Sequence, residues 1–148
     1  MKNNKIALIT GCTNGIGKAL SVKFAQQGYN LILVAKNKDK LKELSNHLSQ
    51  TFRIKSVFIV YGLEKPEAAE YVFRRVQELD LKIDVLVNNA GFNEFGSFIK
   101  TSREKEHDMM YLHMFFVTDM MQLFPPSMVD NKQGKILNIG STGSYISC

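Results

Sequence analysis

The chain has 148 residues, of which 45% are apolar and 22% charged, with a formal net charge of +5. That length supports one domain, 1–148, around a sizeable core, and the balance excludes a disordered chain. The mild positive charge suits a ligand carrying phosphates but forms no basic stripe with interleaved aromatics, so nucleic acid is not an expected partner.

Short apolar runs alternate with helical patterns along the whole length. Ile6-Ala7-Leu8-Ile9 reads as a strand that is apolar on both faces, as strands covered by helices on two sides are. A glycine loop follows, then a helix with Ile16, Leu20 and Phe24 on one stripe, closed by Gly28. Leu31 to Val34 is the second strand, and its helix turns Leu41, Leu44 and Leu48 inward. Val57 to Val60 is the third strand. Pro66 opens the next helix, where a missing N–H does no harm, and Ala69, Val72, Val76 and Leu79 mark its buried face. Val85 to Val87 is the fourth strand. Thr101-Ser102-Arg103-Glu104 has the spacing of a capping box for a long helix reaching toward Pro125. Ile136 to Ile139 is the fifth strand. This β-α repeat with right-handed crossovers predicts an α/β fold of three layers, a doubly wound parallel sheet in the order 3-2-1-4-5. Ligands of such sheets sit beyond the carboxyl ends of the strands, at the switch between strands 1 and 4.

The segment Met109 to Met121 is the most apolar long stretch, but His113, Thr118 and Asp119 interrupt it. It is too short and too polar to span a bilayer, so no membrane partner is expected. Its methionines fit a core or subunit contact, which makes this helix a candidate homo-oligomer surface. The N-terminus lacks a signal-peptide layout, and Cys12 and Cys148 are too few for a disulfide framework. A cytoplasmic setting is the simple expectation. His47, His107 and His113 have no metal-ligand spacing, so no metal is expected.

Three segments carry the chemistry. Thr10-Gly11-Cys12-Thr13-Asn14-Gly15-Ile16-Gly17 joins the first strand to the first helix. Gly11 permits a tight turn, Gly15 lets backbone approach a pyrophosphate, and Gly17 lets the helix pack on the sheet. Free N–H groups and the positive helix end then face the phosphates. A ligand-free glycine turn is the plainer alternative, but the placement between strand and helix favours a Rossmann-type dinucleotide site, with Gly11, Thr13, Asn14, Gly15, Ile16 and Gly17 as its contacts. After strand 2, where an acid would hold the ribose hydroxyls of NAD, the chain reads Ala35-Lys36-Asn37-Lys38-Asp39-Lys40. Lys36, Asn37 and Lys40 suit a 2′-phosphate, so NADP is expected over NAD, although lysines also commonly solubilise a helix start. Asn88-Asn89-Ala90-Gly91 after strand 4 suits either backbone passing close to a ligand or a simple Asn-rich turn.

Together these segments resemble the short-chain dehydrogenase/reductase family. Thr10 to Gly17 matches its TGxxxGxG loop, Asn88 to Gly91 its NNAG motif, and Gly134-Lys135-Ile136-Leu137-Asn138-Ile139-Gly140-Ser141 its fifth strand ending in a catalytic serine. The match is nearest to ketoreductase-like members and covers their first half or somewhat more, without the family's C-terminal strands. The resemblance implies hydride transfer between NADPH and a carbonyl or alcohol substrate, with Ser141 holding the substrate oxygen. It also implies that Leu63, Asn89, Ala90, Gly91 and Ile139 line the cofactor.

Three departures qualify that reading. No Tyr-x-x-x-Lys follows Ser141, and Tyr145 is closer to the serine than the family's tyrosine, so this chain is expected to be catalytically incompetent. The family's tyrosine needs a nearby cation because an unperturbed phenol titrates near pH ~10. His113 occupies the place of the family's supporting asparagine, as a candidate proton carrier or as a helix histidine with a satisfied hydrogen bond. Gly62 replaces the acid whose carboxylate meets the adenine. The alternative to a reductase is a non-catalytic nucleotide-binding module, or a remnant acting by association. With no family strands beside it, the fifth strand should leave Ile136, Leu137 and Ile139 on an open edge.

Overall fold

In the computed structural model, which describes residues 5–141, strands β1 (Ile6–Thr10), β2 (Asn30–Ala35), β3 (Ser56–Val60), β4 (Val85–Asn88) and β5 (Lys135–Asn138) form one parallel sheet. Its order is β3-β2-β1-β4-β5, as the alternating pattern predicts. β1 pairs with β2 from Ile6–Asn30 to Thr10–Val34, and on its other side with β4 from Ala7–Val85 to Ile9–Val87. The switch point therefore lies beyond Thr10.

Alternate residues of a strand face opposite sides, so each apolar run feeds two cores. Ala7, Ile9, Leu31 and Leu33 pack with Ala25 of α1 (Gly15–Gln26) and with Leu41, Leu44 and Leu48 of α2 (Lys38–Phe52). Leu8, Ile32 and Leu86 pack on the other face with Val72 and Val76 of α3 (Ala68–Glu78) and with Phe116 and Met120. Three layers result. Among the described residues no helix is long and apolar enough to cross a membrane.

Local expectations meet mixed outcomes. Gly28 does close α1. Its φ is 79°, its N–H reaches Ala25 O at 2.9 Å, Tyr29 N–H reaches Phe24 O at 3.1 Å, and the Phe24 and Tyr29 rings meet edge to face at 5.1 Å. That is a Schellman ending with its apolar contact. The buried stripe of α1, however, is Gly17, Ser21 and Ala25, with Leu20 and Phe24 half-buried beside it, and Ile16 is 59% exposed. The helix lies so close to the loop at Gly17 that only small side chains fit beneath it. α3 starts at Ala68, leaving Pro66 in the turn before it, and Leu79 falls past the last helical residue and is exposed.

The predicted capping box is off by one residue. Ser102, not Thr101, caps α4 (Arg103–Met110), accepting from Lys105 N–H at 3.4 Å, while Thr101 Oγ1 donates to Phe98 O at 2.8 Å. The shift puts Lys105 where a box needs Glu or Gln, so no reciprocal bond forms. The long helix continues from α4 through a π-helical stretch, Tyr111–Phe116, into α5 (Val117–Leu123), and Pro125 opens a further short helix, α6 (Pro125–Asp130). A π turn adds residues to the repeat and rotates the face that follows. Met120 consequently enters the core, whereas Met110, Met114 and Met121 stay exposed. β5 begins at Lys135, and Ile139 N–H extends its ladder to Asn88 O at 2.9 Å. Ile136 and Leu137 are exposed as expected of an open edge, while Ile139 is half-buried.

Candidate functional site

The ends of β1, β2 and β4 are tied into one rim by groups in the glycine loop and the Asn-rich turn. Gly11 has φ 64° and Gly15 φ 47°, a left-handed region where glycine is favoured. Gly11 N–H bonds Val34 O at 2.9 Å. A Cβ on Gly11 would lie 2.7 Å from Ala90 Cα, and one on Gly17 would collide with Asn89 Nδ2 and Gly11 O. A Cβ on Gly15 would meet nothing within 4 Å, so the loop is packed against protein at Gly11 and Gly17 and open at Gly15. Asn14 sits at the N-cap of α1 without a capping side-chain bond, and no acid lies in the first turn. The first-turn N–H groups of this helix therefore keep their donors for an anion. These features fit a dinucleotide pyrophosphate.

The clamp holding this rim together centres on Thr10, which the sequence reading left out of the site. Thr10 is fully buried, and its Oγ1 accepts from Asn89 N–H and Ala90 N–H, both at 3.0 Å, while donating to Val87 O at 3.3 Å. Asn89 Nδ2 donates to Thr10 O at 3.0 Å and Gly11 O at 3.1 Å. The amide of Asn89 thus bolts the turn to the loop, leaving Ala90 and Gly91 backbone along the rim. The partners are 79 and 80 residues apart in sequence, and the expected neighbourhood of strands 1 and 4 does not say which groups at their ends meet. Asn88 is buried, with Nδ2 donating to Asn138 Oδ1 at 2.8 Å across β4 and β5.

Cys12 is also fully buried and donates its thiol to Val34 O at 3.7 Å. Burial pushes its pKa up to about 12, against the pull of hydrogen bonds from its own backbone and Val34. It is a packing residue, not a nucleophile.

Beyond β2, Lys36 and Asn37 are exposed, and Asn37 Oδ1 caps α2 by accepting from Lys40 N–H at 3.0 Å. Lys40 joins Thr13, Asn14, Lys18, Glu43, Leu44 and His47 around a cleft of about 250 Å³. The fold therefore brings together the loop residues Thr13 and Asn14 and the lysine expected to read a 2′-phosphate, and it adds Lys18. Leu63 is buried in the core, so any role toward a ligand belongs to its backbone.

On the other side of the switch point, His113 lies within the π-helical stretch and its Nε2 is 2.9 Å from Phe92 O. A carbonyl only accepts, so Nε2 is the donor in this bond. A Cβ on Gly91 would stand 2.7 Å from His113 Cε1, so Gly91 makes room for this bond. Ser141 is exposed, two residues beyond the last ladder bond of β5 at Ile139. Tyr145 and Cys148 lie outside the described residues. Among the described residues no group of three or more His, Cys, Asp or Glu is placed to hold a metal. A larger hollow, about 550 Å³, is lined by Arg103, Glu104, His107 and Asp108 and includes none of the residues above.

Comparison with known proteins bears on the same segments. The chain is 32% identical over 137 residues to hydroxysteroid dehydrogenase-like protein 1 of Gallus gallus, covering 91% of this chain and 41% of that protein. It is 30% identical to the very-long-chain 3-oxoacyl-CoA reductase of Homo sapiens, covering 91% of this chain and 44% of that one. The chain thus spans less than half the length of these relatives. Among solved structures, the bulky-bulky ketone specific alcohol dehydrogenase from Comamonas testosteroni superposes with a TM-score of 0.90 at 28% identity, over 98% of this chain and 58% of that one. L-sorbose reductase from Gluconobacter frateurii, solved with NADPH and L-sorbose, superposes with a TM-score of 0.89 at 27% identity, over 98% and 56%. A family model for short chain dehydrogenases matches residues 5–147, nearly the entire length. With that match, the strand order and the three motifs at the strand ends, the chain belongs to the short-chain dehydrogenase/reductase family.

Proposed function

We propose that this chain is the dinucleotide-binding part of an NADP-dependent oxidoreductase that moves hydride between NADPH and a carbonyl or alcohol carbon. The observation that carries the proposal is the rim at the switch point, where Gly11 and Gly17 are packed shut against Asn89 and Ala90 while Gly15 opens outward. First-turn N–H groups at Gly15, Ile16 and Gly17 hold the pyrophosphate. Lys40, beside Thr13 and Asn14, and Lys36 pair with the 2′-phosphate, and the first residues past β2, Lys36, Asn37 and Lys38, include no carboxylate to favour NAD. Backbone at Ala90, Gly91 and Ile139 borders the nicotinamide ribose, and that of Leu63 the adenine. Ser141 orients the substrate oxygen, and His113 keeps the turn after β4 in place through Phe92 O. When bound, the cofactor supplies the hydride chemistry, and the protein supplies orientation.

The 148 residues contain no Tyr-x-x-x-Lys after Ser141. By itself the chain therefore binds nucleotide without turning it over, which is where the non-catalytic module reading applies. Fluorescence titration with NADPH and NADH, run beside an NADPH oxidation assay on small carbonyl compounds, tests this. NADPH should bind about tenfold or more tighter than NADH, and the double variant Lys36→Ala, Lys40→Ala should close most of that gap. Equal affinities would refute the NADP preference, absence of binding would refute the whole reading, and steady oxidation would refute the catalytic incompetence. A cytoplasmic location and self-association through the Met109–Met121 helix belong to the same proposal. Exposed Met110, Met114 and Phe115 support the association, which gel filtration of a Met114→Lys variant would test.

A further inference from the structure

We propose that Asn14 is a site of spontaneous modification: its side-chain amide is lost to attack by the Gly15 nitrogen, and the carboxylate left at position 14 closes the anion-binding end of α1. The closing rests on the dinucleotide reading above, whereas the modification does not. Asn14-Gly15 is the one Asn-Gly pair in the sequence. It falls where the loop after β1 turns into α1, with Asn14 exposed at the N-cap in extended backbone, φ −143° and ψ 168°. Among the described residues its amide makes no hydrogen bond. Gly15 is the first helical residue, so its N–H has no partner within the helix. A Cβ on Gly15 would meet nothing within 4 Å, so no neighbour crowds the pair from that side.

Other asparagines at the strand ends lack this combination. Asn89 gives its amide to Thr10 O and Gly11 O and precedes an alanine. Asn37 is engaged as the cap of α2, and Asn138 precedes the branched Ile139. In the reaction the Gly15 nitrogen bonds to Asn14 Cγ and the Cγ–Nδ2 bond breaks. Nδ2 leaves as ammonia with the proton from the Gly15 nitrogen, and a cyclic imide remains. Water then opens the imide at either carbonyl, leaving aspartate or isoaspartate at position 14. The attacking N–H is one of the first-turn donors open to a pyrophosphate, so a bound dinucleotide and the imide compete for one atom. The unaltered helix has no acid in its first turn. The new carboxylate sits at its N-terminus, where it satisfies the same donors and repels phosphate. Isoaspartate also adds a methylene to the main chain between Gly11 and Gly15.

The test incubates the 148-residue chain in warm, mildly alkaline buffer, with and without saturating NADPH. Peptide masses follow the loss of the amide, and fluorescence titration follows NADPH affinity. Asn14 should convert several-fold faster than Asn89, and NADPH should slow it several-fold. Affinity for NADPH should fall about tenfold as conversion completes. Asn14→Asp should start at that weakened affinity, and its thermal midpoint should be higher, as a charged cap makes it. Asn14→Ser, which caps without a labile amide, should gain no mass at this position and hold its own starting affinity throughout. An amide at position 14 that lasts as long as that of Asn89 would overturn the proposal. Undiminished NADPH affinity in the converted chain or in Asn14→Asp would overturn it as well. Conversion in a chain that never binds NADPH would instead overturn the dinucleotide reading and leave the modification standing.

Discussion

Ile32 and Leu33 of β2 and Ile136 and Leu137 of β5 are the same two side chains in the same order on one parallel sheet, yet the first pair is 0% exposed and the second 38% and 39%. β2 lies between β1 and β3, with α1 and α2 packed on one face and α3 on the other. β5 has β4 on one side only, and all four of its residues are exposed. An apolar run chooses a strand conformation, but its contribution to stability comes from the layers that cover it.

The largest expected effect tests this directly. Ile32→Ala should cost about 2–5 kcal/mol, as loss of a fully packed side chain does, whereas Ile136→Ala should cost less than about 1 kcal/mol. Urea unfolding of both variants measures the pair, and similar losses would mean that β5 is covered in solution, by association or otherwise. The unaltered 148-residue chain should accordingly be marginally stable as a monomer, and a sharp, high thermal transition at monomeric mass would contradict the contrast.

A second prediction probes the seam between the two regions. Thr10→Val keeps the shape but removes the acceptor shared by Asn89 and Ala90 N–H, and should cost about 2–3 kcal/mol. It should also weaken NADPH binding by letting the turn after β4 drift from the glycine loop. A loss under about 0.5 kcal/mol in chemical denaturation would show that the clamp is dispensable.

A third effect is absent at neutral pH and appears only in alkali. The folded chain holds the Cys12 proton to about pH 12, whereas an exposed thiol releases it near 9.0. Between those values the unfolded state binds fewer protons, so stability is complete below about pH 9 and falls as the pH rises, by at most about 1.4 kcal/mol per pH unit. Tyr111 also has a raised pKa, from burial first and then from Asp119, Glu70 and Glu67, and adds in the same direction. Thermal unfolding from neutral to alkaline pH should therefore show a shallower decline in Cys12→Ala, and parallel curves would dismiss the thiol as the source.

Much of the architecture was readable because it follows from short-range patterns. The runs at Ile6, Leu31, Val57 and Val85 became strands, and Gly28 ended α1 as its left-handed conformation requires. The glycine loop was readable too, since Gly11, Gly15 and Gly17 occur within seven residues. Errors arose where a second element intervened. Ile16 has the spacing of a core residue, but Gly17 is pressed against Asn89 and Ile16 is left outside; the methionines of Met109–Met121 fit a core or subunit contact, and only the fold, with its π turn around His113, divided them by placing Met120 in the core and Met110, Met114 and Met121 on the surface. Thr101 and Ser102 are equally good caps by composition, and the turn at Phe98–Lys100 chose between them.

By itself the sequence determined the parallel sheet, its order and the loop that can receive a pyrophosphate, because strand periodicity, helix periodicity and glycine's backbone freedom act over a few residues. Only the tertiary structure decided that Thr10 and Asn89 lock that loop to the turn after β4, that Gly91 yields space to His113, and that Glu64 folds over Gly62. The locks at Thr10, Asn89 and Gly91 join residues far apart in the chain, and the position of Glu64 depends on the turn that carries it, so pairing and packing had to be complete before those side chains had a direction.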